Sequence, residues 1–78
     1  MSDKTKISLK AARVNAGLTQ QEAADRMAEY MGIKVSRQRI QGFERDPETV
    51  PPAWARGFSW IYKLPLDDLF FARRSTES

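Results

Sequence analysis

VSRQRIQGFER, residues Val35 to Arg45, holds three arginines, two glutamines, one glycine and only three large apolar side chains. As a helix it advances about 100° per residue. Ile40 and Phe43 then share one side, the buried one. Opposite them fall Gln38, Gln41, Gly42 and Arg45. Arg37 and Glu44 flank one edge and Arg39 the other. Amide and guanidinium groups therefore dominate the outer face. A merely solvated helix more often carries Glu and Lys in pairs four residues apart. Arg pairs bidentately with guanine and Gln with adenine, so this surface suits reading DNA. Plain solvation is the competing reading.

The flanking residues frame this stretch as one helix among several. Ser36 is a candidate N-cap, with Val35 stapling to Ile40. Asp46-Pro47 closes the helix, because proline disfavours helical geometry in the residue before it. Upstream, Ser8 caps a first helix with Leu9, Ala12, Arg13 and Ala16 on one face, and Gly17 ends it. Thr19 and Glu22 form a capping box for a second helix, with Leu18 stapling to Ala23. Ala23, Ala24, Met27, Tyr30 and Met31 supply its buried side, and Gly32 stops it. Downstream, RDPETVPP is a loop, and Pro52 opens a fourth helix through AWARGFSWIYK. After Pro65, LDDLFF is expected as a short fifth helix with Asp67 and Asp68 in its first turn. No segment alternates with period two, so the expected class is all-α with five helices. Expected organisation is a flexible arm over 1–7, one domain over 8–72 and a disordered tail over 73–78.

Bulk composition narrows the function. The chain has 78 residues and neither cysteine nor histidine. Thiolate metal sites and disulfides are excluded, as are the commonest general base and the commonest zinc ligand. No carboxylate pair is placed for catalysis, so an enzyme is not expected, and no cofactor, metal or small-molecule ligand is. Net charge is +3 and the isoelectric point about 9.6, which permits a polyanionic partner. No apolar run approaches the ~20 residues of a membrane span, and no signal peptide is visible. Location in a prokaryotic cytoplasm or nucleoid is the expectation.

LKAARVNAGLTQQEAADRM followed by VSRQRIQGFE, with LPLDDLFF later, resembles the Cro/phage-repressor (Xre-type) helix-turn-helix family across roughly residues 7–71. That resemblance implies a lambda-repressor-like five-helix domain. Its third helix would enter the major groove of operator DNA, usually as one of a two-fold pair. It further implies base contacts from Arg37, Gln38 and Gln41, and a phosphate contact from Gln20, which would also brace the third helix. Gly42 matches another base-facing position and leaves it without a side chain. Arg13 and Glu44 match an ion pair between the first and third helices; surface charges are the alternative. Lys34, Arg39 and Arg45 are candidates for phosphate or for free surface charge. The chain departs from the family where AEYMGIK lengthens the second helix and its turn. It departs again at Ala23, where leucine is common and Tyr30 and Met31 would fill the space.

Gly42 has two readings. Either it is a tolerated helix defect, or it lets the backbone approach the groove floor. Trp60, Phe70 and Phe71 are candidates for a dimer surface; burial of Trp60 against the fifth helix competes. The function implied is a sequence-specific regulator of transcription, a Cro-like repressor, pairing as a homodimer at least on DNA. The alternative is a protein-interaction module on the same scaffold, such as an antitoxin or adaptor.

Overall fold

The computed structural model describes residues 6–69 and 71. Within them four α-helices follow in order: α1 (Leu9–Asn15), α2 (Gln20–Met31), α3 (Arg37–Arg45) and α4 (Pro52–Tyr62). Short 3-10 turns lie at Pro47–Thr49 and Leu66–Asp68. Among the described residues no helix is long and apolar enough to cross a membrane.

Side-chain caps set the starts of α1, α2 and α3. Ser8 Oγ accepts the Ala11 N–H at 3.1 Å, and Ser36 Oγ accepts the Arg39 N–H at 3.2 Å. Thr19 and Glu22 complete a reciprocal box: Thr19 Oγ1 accepts the Glu22 N–H at 3.0 Å, and Glu22 Oε1 accepts the Thr19 N–H at 2.8 Å. Caps of this kind are worth about 1 kcal/mol each. α2 ends where Gly32 takes the left-handed conformation, φ 72°. α4 ends differently. Its cap is Lys63, at φ 57° and ψ 46°, where a side chain costs about 1–2 kcal/mol that glycine avoids.

The expected fifth helix does not form. Leu66–Asp68 makes a three-residue 3-10 turn, after which Leu69 is extended, at φ −98° and ψ 140°. Leu69 pairs with Ile7 in an isolated parallel bridge, and the Ile7 N–H donates to the Asp68 carbonyl at 2.8 Å. Two effects oppose a helix here. One turn cannot offset the entropy of nucleation, and the Asp68 carbonyl is taken by Ile7. Leu69 is instead an anchor, 2 % exposed. The architecture is thus a four-helix, all-α one rather than the five-helix lambda-repressor-like domain expected. Phe70, residues 1–5 of the expected arm and residues 72–78, which contain the expected tail, lie outside the described residues.

α2 is central and packs on both α3 and α4. Its inner residues Ala23, Ala24 and Met27 are fully buried. Small side chains let the neighbours approach closely, and the space is filled from α3 and α4 by Ile40, Phe43, Phe58, Ile61 and Tyr62. Phe43, Phe58 and Tyr62 form an aromatic series, with centroids 6.0 Å and 5.6 Å apart. Gly57 marks a close approach of α4 to α2. A Cβ there would lie 2.7 Å from Met27 Cε and 3.1 Å from Tyr30 Cδ2. The contact leaves Tyr30 on the rim, 41 % exposed, so Tyr30 does not fill the core beside Ala23. Met31 does pack partly buried against it.

Candidate nucleic-acid interface

α2, the left-handed turn at Gly32 and α3 form a helix-turn-helix-like arrangement. The core side of α3 is defined by Ile40 and Phe43, 0 % and 6 % exposed. Arg37, Gln38 and Gln41 are exposed. None of the three side chains makes a hydrogen bond or ion pair among the described residues. Their donors and acceptors face solvent ready for a partner. A Cβ at Gly42 would meet no atom within 4 Å, so the protein itself has no need of glycine there.

Glu44 is the only acid of α3, and it is turned away from that outer face. Its Oε2 accepts from Arg13 Nε at 2.6 Å, and its Oε1 accepts from Arg13 Nη2 at 3.3 Å. Arg13 Nη1 donates to the Leu18 carbonyl at 2.9 Å. One guanidinium thereby ties α1, the α1–α2 turn and α3 together. The hydrogen bond with Glu44 holds Arg13 above its already high ordinary pKa, against the opposing effect of burial. Gln20 joins the same cluster: its Nε2 donates to Glu44 Oε1 at 3.1 Å. Gln20 therefore braces α3 through a direct hydrogen bond, with one of its amide donors already engaged.

Tyr62 lies under this cluster. Burial pushes its hydroxyl well above the ordinary tyrosine range; the Glu44 charge adds to that and Arg13 partly offsets it. The hydroxyl has no hydrogen-bond partner among the described residues.

The candidate phosphate contacts divide by environment. Lys34 is exposed in the turn before α3 and unpaired among the described residues. Arg45 Nε donates to Asp46 Oδ2 at 3.2 Å, in a pair open to water and worth at most about 1 kcal/mol. Arg39 is exposed but not free-swinging. Its guanidinium lies 5.4 Å from the Trp54 ring centroid and 5.9 Å from that of Phe43, within cation–π range. The edge of α3 is thus pinned onto the first turn of α4. Sequence position alone showed Arg39 on that edge but not the ring beneath it.

No protein-family model matches the chain, and no curated protein or solved structure is significantly similar to it. The helix packing is compatible with a helix-turn-helix arrangement, and that likeness is one of architecture.

Of the candidate dimer residues, Trp60 and Phe71 are described, and their exposures differ. Trp60 is 70 % exposed, so it is not buried against a following helix. Phe71 is partly buried and packs against the core. Trp60 instead meets Tyr30 across the α2–α4 crossing, with centroids 5.8 Å apart and planes tilted by 38°. The sequence signal for that contact was present but faint: an aromatic near the end of each of two helices, with Gly57 between the helices.

Proposed function

We propose that the chain is a sequence-specific, double-stranded DNA-binding regulator of transcription, of repressor type, whose α3 reads the major groove. One observation carries this reading. Among the described residues the side chains of Arg37, Gln38 and Gln41 stand exposed and unpartnered on α3, while its single carboxylate is drawn inward by Arg13 and Gln20. The face keeps the side chains that recognise base edges and loses the charge that would repel phosphate. Phosphate contacts fall to Lys34 and Arg45, with Arg39 held ready on Trp54. Gln20 would present what remains of its amide. Two copies on a two-fold site would space their half-sites about one helical turn apart. No catalytic role is assigned.

Selection of bound sequences from random duplexes at a fixed, moderate salt concentration tests this. A palindromic motif is expected. Recovery of no motif, with binding that disappears at moderate salt, would leave only nonspecific attraction and overturn the reading.

A further inference from the structure

We infer that the groove between the C-terminal halves of α2 and α4 is a binding site for a planar aromatic anion. The groove encloses about 590 Å³ and is lined by Arg26, Glu29, Tyr30, Trp60, Ile61 and Lys63. It includes no residue of α3, so the inference stands whether or not α3 reads DNA.

Three independent features converge there. The first is apolar exposure without local purpose. Trp60 is 70 % and Tyr30 41 % exposed, and their ring planes are tilted by 38° with centroids 5.8 Å apart. At the same crossing Gly57 brings α4 close against Met27 and Tyr30. The second is unused charge. Arg26, Glu29 and Lys63 are all exposed, and none forms an ion pair among the described residues. The third is backbone conformation. Lys63 is the one non-glycine with positive φ among the described residues, at 57°. A cation thus stands at the groove's lip in a conformation that favours glycine, and such positions concentrate at functional sites.

Size chooses the occupant. Ligand sites occupy roughly 300–1,000 Å³, which includes this groove. A stable pair of protein copies needs roughly 800 Å² from each partner, more than six lining side chains around one groove supply. Charge then chooses the chemistry. Two cations against one acid give the rim a net positive charge. A flat ring would lie on Trp60 and Tyr30, and a carboxylate or phosphate on that ring would face Arg26 and Lys63. Glu29 would oppose it.

The test uses the full chain, isotope-labelled, with 2-naphthoate as probe. The naphthylmethylammonium cation and the non-planar cyclohexanecarboxylate serve as controls. Saturable shifts are expected at the Trp60 indole N–H and at backbone amides of residues 26–33 and 57–64, with the Trp54 indole unmoved. The two controls should bind distinctly more weakly. Trp60→Ala should abolish the saturable shifts. Arg26→Gln and Lys63→Gln should each weaken the probe about threefold, and Glu29→Gln should tighten it, as befits exposed charge pairs. All four side chains are exposed, so the fold should persist, as checked by circular dichroism. Equal binding of the cation, indifference to the three charge variants, or shifts spread over the surface would overturn the assignment. So would Trp60 shifts that depend on protein concentration without probe, since a second copy would then be the occupant.

Discussion

Arg13 Nε and Glu44 Oε2 stand 2.6 Å apart, with side chains only 11 % and 7 % exposed, although 31 positions separate them in the chain. The pair sets the geometry of α3, because it fixes the C-terminal end of that helix to α1. It also sets the helix's chemistry, because the carboxylate it captures would otherwise border the outer face.

Removing one partner leaves the other charge buried. Arg13→Met should destabilise the fold by about 3–5 kcal/mol, read as a lower urea midpoint. Arg13→Met combined with Glu44→Leu should recover much of that loss. A single-variant cost below ~1 kcal/mol would mean that the pair is only a surface contact.

The two helical glycines should respond oppositely to one substitution. Gly42 faces open space, so Gly42→Ala should stabilise by about 0.5–1 kcal/mol through helix propensity. Gly57 abuts Met27 and Tyr30, so Gly57→Ala should cost about 1–3 kcal/mol through overpacking. Thermal unfolding of both variants checks the contrast. Duplex affinity of Gly42→Ala then separates the two roles for that glycine. Unchanged affinity marks a tolerated defect, and weakened affinity marks close backbone approach.

Tyr62 links stability to alkaline pH. Its folded pKa lies above the ordinary value of 10.0. Between those two values the unfolded chain has lost the phenolic proton and the folded chain keeps it. The stability from this group is therefore complete below pH ~10 and is lost progressively above it. Tyr62→Phe should unfold with a shallower decline between pH 9 and 11 than the parent. At pH 7 it should be neutral or slightly stabilising, since the hydroxyl has no partner among the described residues and an unpaired buried polar group is costly. A large loss of stability at pH 7 would indicate a hydrogen bond to ordered water.

Much of this was legible because it is local. Ser8, Thr19 with Glu22, Gly32 and Ser36 announce helix ends within four residues of themselves, and the period of α3 separates Ile40 and Phe43 from Gln38 and Gln41. What was misread depends on distant partners. LDDLFF carries helix-start chemistry, yet the Ile7 backbone bonds to Asp68 and turns Leu69 into an extended anchor. Tyr30 lies on the apolar stripe of α2, yet the close approach of α4 at Gly57 leaves it partly in solvent beside Trp60. Arg39 looked like a free cation until Trp54, fifteen positions on, was placed beneath it.

Phosphate and base contacts should separate by salt dependence. Lys34→Ala and Arg45→Ala should weaken every duplex alike, each lowering the slope of log affinity against log salt by about one. Arg39 should behave similarly but with a stability cost, because its guanidinium also packs on Trp54 and Phe43. Titrations at several salt concentrations, alongside unfolding curves, distinguish the three cations. An unchanged slope in all three variants would remove them from the DNA contact.

Base reading by the outward face of α3 is the proposal on which the DNA-binding role depends. The most direct measurement is the bound-sequence motif of Gln38→Ala beside that of the parent, selected at the same salt concentration. Preference should collapse at one base pair in each half-site, by about 1–3 kcal/mol of discrimination, with the rest of the motif intact. An unchanged motif with uniformly altered affinity would contradict it.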